Sequence, residues 1–337
     1  MKKVVTADRE SYFDNAKFML ILLVVFGHFM QPYIGDNLLL EDLYYFVFTF
    51  HMPAFVLISG YFTKGFRRAG YLKKLLKSIV FPYIIFEIIY AGFYYLIDSS
   101  QALKIDLLNP EWSLWFLVSL FCWHLGLFIF TKLPASWSIL LSFGISVAVG
   151  YIDSINHIMS LSRTFVFFPF FLVGHFLTKK HIRYVQEQCR KWWGIVLFFI
   201  LATLIQQNDV MNKYWVFGSQ PYDHFLDDPS FGWLVRIYIY CLSFMGILAF
   251  LILVPQKMFF FTKWGRNTIF TYLLHGFIVK GLRTTSLTDA HLTAPLFLGL
   301  VVLSLLTTVL LSSNLVSQLC RPLIGKKWRF ALKNETE

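Results

Sequence analysis

Ala16–Gln31 reads AKFMLILLVVFGHFMQ and follows Phe13-Asp14-Asn15. The run is apolar enough to cross a bilayer, yet it carries Lys17 near its start and His28 eleven residues later. An ionisable group at membrane depth costs roughly 2.5–3.5 kcal/mol even on lenient insertion scales, so both residues need a reason. Eleven residues are about three full helical turns, which puts both side chains on one face, about 16 Å apart along the axis.

The rest of the chain has the same character. Of its 337 residues, 57% are hydrophobic, 19% aromatic and only 15% charged, and mean hydropathy is +0.60. Soluble domains carry nearer a quarter charged residues. No soluble core uses 38 phenylalanines, so the expected fold class is all-α, a polytopic membrane protein. The net charge of +11 belongs to membrane topology, and no nucleic acid partner is expected. Cys122, Cys189, Cys241 and Cys320 show neither CxxC spacing nor histidines at metal-ligand intervals, so neither metal site nor structural disulfide is expected. The N-terminal apolar run is too long for a cleavable signal and lacks a small-residue cleavage site, so it reads as a first span.

Runs of about 20 apolar residues, the length that crosses the hydrocarbon core, fall near 15–34, 43–63, 77–97, 114–132, 136–152, 163–178, 192–206, 232–254, 267–282 and 295–313. That is about ten transmembrane helices, the fifth to seventh short enough to be tilted or partly re-entrant. Basic residues collect on alternate connections: Lys2, Lys3 and Arg9; Lys64, Arg67, Arg68, Lys73, Lys74 and Lys77; Lys132; 179–191; 255–266; and the C-terminal Arg321, Lys326, Lys327, Arg329 and Lys333. The opposite connections are acidic or neutral, with Asp36, Glu41, Asp42, Asp98, Asp106, Glu111, Asp153, Asp209, Asp223, Asp227 and Asp228. The positive-inside rule then places both termini in the cytoplasm. The expected organisation is a cytoplasmic N-terminus (1–14), a single transmembrane domain (15–313) and a basic cytoplasmic tail (314–337). The longest outer loop, about 207–231, is aromatic and acidic.

Polar residues inside the spans narrow the function. Lys17 reads as an interfacial cation paired with Asp14 at i−3, or as the inner end of a stripe leading to His28. The second span contains FTFHMPAFVLISGYF; Pro53 frees a carbonyl that lipid cannot satisfy, His51 precedes it by two residues, and Ser59-Gly60 allows close helix approach. His28 and His51 fall at similar depth, as in the wall of a polar cavity or as packed interior histidines. Glu87 is costly unless protonated or paired. His124, Arg236 and His275 also interrupt apolar runs, and Arg163 sits at the outer mouth of the sixth span. Trp112 and Trp115 suit an outer aromatic belt, and Trp115 equally suits a sugar-lined site. No Walker, HExxH or GxSxG motif occurs.

Together, Lys17-x10-His28, FHMPAFVLISGY, SLWFLVSLF, RTFVFFPFFLVGHF and the late YLLHGF resemble the acyltransferase-three family of integral-membrane enzymes, along essentially the whole chain. The resemblance implies about ten helices in a bacterial cytoplasmic membrane and transfer of an acyl group, usually acetyl, to sugars. Polysaccharide, peptidoglycan and lipid-linked sugar are the implied acceptors, and cytoplasmic acetyl-CoA or another acyl-CoA is the co-substrate, with no bound cofactor. It differs in carrying Lys17 where arginine is common, which loses a bidentate fork, and no SGNH-type domain follows the last helix, so an extracytoplasmic partner enzyme is one expectation. On this reading His28, Lys17 and His51 are catalytic, and Arg163, Glu87, Trp115 and His275 contact the acceptor. Lys17, Arg67, Arg68, Lys73 and Lys74 hold the donor's phosphates, the loop cations alternatively meeting anionic membrane lipids. A transporter or flippase for a lipid-linked sugar, or a non-catalytic subunit of a polysaccharide assembly complex, are the competing readings. The absence of repeated halves with matching broken helices speaks against the transporter.

Overall fold

The computed structural model describes residues 2–35, 37–97, 103–156, 158–207, 211–285 and 291–324, with backbone alone for 2–10. The side chains of Lys2, Lys3 and Arg9 lie outside the described residues, as do Asp36, Asp98, Asp209, Lys326, Lys327, Arg329 and Lys333. Among the described residues every regular element is helical. In chain order the first six helices are α1 (Lys2–Met30), α2 (Leu38–Tyr61), α3 (Tyr71–Leu75), α4 (Phe81–Ile97), α5 (Trp115–Phe130) and α6 (Ala135–Ala148). Next come α7 (Leu161–Phe176), α8 (Lys179–Gln188), α9 (Lys191–Gln206), α10 (Lys213–Phe217) and α11 (Gly232–Leu253). The last are α12 (Thr262–Gly265), α13 (Thr268–Arg283), α14 (Ala294–Leu311) and α15 (Asn314–Ile324).

Each of the ten apolar runs coincides with a helix, and the helices differ in length and apolarity. Among the described residues, seven spans suffice by length and composition to cross a bilayer: Ser11–Tyr33, Leu38–Tyr61, Tyr71–Ile97, Trp112–Phe130, Ile158–Phe176, Pro229–Leu253 and Ala294–Leu311. An eighth is reached if α8 and α9, bent by 94°, are taken as one broken span. Ala135–Tyr151 is apolar but shorter, and α13 has 16 residues, about 24 Å against a core of about 30 Å. This is a multi-pass membrane protein, and its shortest helices are those that need neighbours to cover their ends. Between α3 and α4 a π-helical turn, Leu76–Val80, stands just before Pro82, whose missing N–H relaxes the hydrogen-bond ladder there.

Contacts divide the chain into two compact units. The first comprises Met1–Phe55, Ile182–Met211 and Leu242–Cys320; the second comprises Val56–His181, Asn212–Cys241 and Arg321–Glu337. In the first, α1 packs on α12, α13 and α14. Tyr12 Oη donates to the Leu251 carbonyl at 2.7 Å, and Asn15 Nδ2 donates to the carbonyls of Pro255 and Lys257, both at 2.9 Å. Thr262 Oγ1 donates back to Asn15 Oδ1 at 2.6 Å. In the second, Gly60 lies against the Phe171 carbonyl and Gly174 against that of Leu57. Neither position has room for a Cβ, so α2 and α7 cross backbone to backbone, as small residues permit in lipid.

Candidate active site

Midway along α1 lies a carboxylate clamp. Asp14, 1% exposed, receives Lys17 Nζ at 2.7 Å on one oxygen and Arg266 Nε at 3.2 Å on the other. The i−3 pairing of Lys17 was legible, since those positions are neighbours on a helix face. Arg266 was not, because it arrives from 252 residues away. Two cations on one carboxylate leave a net single positive charge. Gly265 lies directly against the Asp14 backbone, where any side chain would clash.

At the C-terminal end of α1 three histidines gather within the first unit. The rings of His28 and His275 stand 5.4 Å apart. Phe48 stands edge-on to His28 at 6.3 Å and to His51 at 4.6 Å, so its ring packs on both imidazoles. Tyr44 stacks on Phe48 at 3.9 Å. His51 and His275 are fully buried, and His28 is half-buried.

Backbone carbonyls fix the protons on two of these rings. His51 Nδ1 is 2.7 Å from the Val47 carbonyl, one turn earlier. His275 Nδ1 is 2.9 Å from the Thr271 carbonyl and 2.8 Å from that of Tyr272. A carbonyl only accepts, so Nδ1 carries the hydrogen in each, and the neutral ring keeps its lone pair on Nε2. Arg283 completes the group: one Nη donates to the His28 carbonyl at 2.9 Å and to Gln31 Oε1 at 2.8 Å. It thereby satisfies a carbonyl that the end of α1 leaves unpaired. Sequence reading passed over Arg283, although a basic residue on the acidic side of the membrane was a signal.

The remaining candidates lie in the second unit. Arg163 stands over the Trp115 ring at 4.9 Å, and Trp115 packs on Phe167 at 5.5 Å, so these two candidates do meet. Glu87 is buried, and its two carboxyl oxygens accept from the Glu111 amide at 3.2 and 3.1 Å. That gives Glu87 a local structural partner. Arg67, Arg68, Lys73 and Lys74 are all exposed, and Arg67 donates to Thr131 Oγ1 at 3.1 Å.

Residues 10–313 match the acyltransferase-three family, described as an acyltransferase domain. A stretch of 152 residues is 31% identical to Nodulation protein NolL of Sinorhizobium fredii, covering 40% of this chain and 38% of that protein. Another match, over 63 residues, is 41% identical to Nodulation protein NolL of Mesorhizobium japonicum, covering 18% of this chain and 17% of that protein. The matches thus span well under half the length of these curated relatives. No solved structure matches the chain.

Proposed function

The chain belongs to the acyltransferase-three family and is a membrane acyltransferase, and on that premise we propose that it moves an acetyl group from cytoplasmic acetyl-CoA to a sugar hydroxyl outside the membrane. The acceptor is a cell-surface glycan or lipid-linked sugar, and the membrane is the bacterial cytoplasmic membrane, with both termini inside. The observation that carries this reading is the pairing of His28 with His275 at 5.4 Å at the outer end of the helix whose inner end bears Lys17.

The chemistry follows from those positions. The acceptor hydroxyl oxygen attacks the thioester carbonyl carbon while the His28 imidazole takes the hydroxyl proton. The tetrahedral oxyanion collapses, the C–S bond breaks, and the departing thiolate recovers that proton from the imidazolium. His275 and His51, each held by a backbone carbonyl through Nδ1, present Nε2 as further proton carriers. Lys17 and Arg266, overcharging Asp14 by one cation, attract the anionic donor at the inner end, and the exposed Arg67, Arg68, Lys73 and Lys74 add to that attraction. Arg163 on Trp115 serves the acceptor.

Mass spectrometry of surface glycans from cells with and without the gene tests the reading. The expected result is a glycan heavier by one acetyl group only when the gene is present. Identical glycan masses in both strains, with the protein in the membrane, contradict it.

A further inference from the structure

The second unit holds a group of side chains that the chemistry at His28 does not use. Arg236, near the start of α11, is 2% exposed. Its guanidinium lies 4.9 Å from the Trp215 ring centre and 6.0 Å from that of Tyr222. One Nη donates to the Trp215 carbonyl at 2.7 Å. Arg236 Nε and Trp215 Nε1 are both buried and have no hydrogen-bond partner. Among the described residues no carboxylate pairs with Arg236. A buried cation and a buried indole N–H are both costly without an acceptor, and native interiors supply one.

Arg163, half-buried, is a second arginine on a tryptophan. It stands face-on to Trp115 and likewise has no carboxylate among the described residues. One short segment, Trp215–Gly218, joins the two arginines. Arg236 holds its start through the Trp215 carbonyl, and α7 holds its end, where Ser162 Oγ donates to the Gly218 carbonyl at 2.8 Å. Gly218, at φ +58°, has no room for a side chain against Val166, next to Phe167, which packs on Trp115.

Every unpaired group here is a donor, since guanidinium and indole N–H have no acceptor capacity. The missing partner is therefore rich in acceptors and negatively charged. Guanidinium groups stacked on aromatic rings are weakly hydrated and suited to carboxylate or phosphate oxygens. The charge alternation puts this loop outside the membrane, away from the donor's phosphates. We infer that Arg236, Trp215 and Arg163 bind an oxyanion carried by the acceptor, a phosphate or carboxylate on the sugar. This rests on the proposed transfer to an extracytoplasmic sugar and narrows that acceptor to an anionic one.

Calorimetric titration of the full chain in detergent micelles tests it, with glucose 1-phosphate, glucuronate and glucose as probes. At least one charged sugar is expected to bind about tenfold or more tighter than glucose, in line with charge-assisted hydrogen bonding. Trp215→Phe keeps the ring and removes the donor, and it weakens that binding, as do Arg163→Gln and Arg236→Gln. A preference for the phosphate or for the carboxylate identifies the group. Charged sugars that bind no better than glucose overturn the inference, as does unchanged binding in Trp215→Phe and Arg163→Gln. The assay needs no acyl transfer, so it fails or succeeds independently of the proposed reaction.

Discussion

His28 has His275 within 5.4 Å and shares the ring of Phe48 with His51. The second span had pointed to His51 as its companion, because the two share a depth. Depth is readable from sequence, but the azimuth of one helix against another is not. His275→Phe is accordingly expected to lower kcat by about a hundredfold or more, within the range of a lost proton carrier. His51→Phe lowers it less, and acyl-transfer rates on matched amounts of membrane protein compare the two. The opposite ranking would return His51 to the role of first partner. Lys17 was legible as a cation paired with Asp14, while Arg266 and Arg283 were not, being 252 and 255 residues from their partners on α1.

At the scale of elements, α1 and the α2–α7 crossing hold the framework. Asn15 makes three hydrogen bonds to the segment 255–262. Asn15→Ala leaves two part-buried carbonyls and the buried Thr262 hydroxyl without it, at a cost of about 1–3 kcal/mol, measurable as a lower thermal midpoint in detergent. Gly174→Leu forces a side chain into the Leu57 backbone and is expected to abolish insertion of folded protein, whereas Gly144→Ala, in open space, is tolerated. The SG pair of α2 announced that crossing, since small residues are what lipid-embedded helices use to approach. Helix α8 was not announced: KKHIRYVQEQ reads as a charged loop until its amphipathic helical periodicity is noticed. Ahead of α11, the Ser230 hydroxyl and then its amide, which reaches Asp228 Oδ1 at 2.9 Å, donate to Asp228, and this bonding holds its carboxyl below the usual carboxylate range. A depressed folded pKa contributes stability above the ordinary carboxylate pKa and loses it as pH falls through the folded value. Loop 211–231 is therefore expected to keep its amide protection from neutral pH down to the carboxylate range and to loosen only below it, as hydrogen exchange would show.

For the whole molecule, the membrane class was legible because hydrophobicity is local: a run of 20 apolar residues has one home wherever it occurs in the chain. The count of spans was less so, because α6 and α13 are helical and apolar yet short. Seventy-two per cent of the α2 stretch is buried against 28% of α14, which marks α2 as interior and α14 as largely lipid-facing. Charge alternation predicts both ends inside, so a green fluorescent protein fused at the C-terminus should fluoresce and a periplasmic phosphatase there should be inactive. The division of labour along α1 is tested most directly in proteoliposomes supplied with labelled acetyl-CoA and glycan acceptor. Wild-type protein should transfer the label, and both His28→Ala and Lys17→Ala, inserted to the same level, should lose at least a hundredfold of that rate. Undiminished transfer by His28→Ala would place the chemistry elsewhere in the protein.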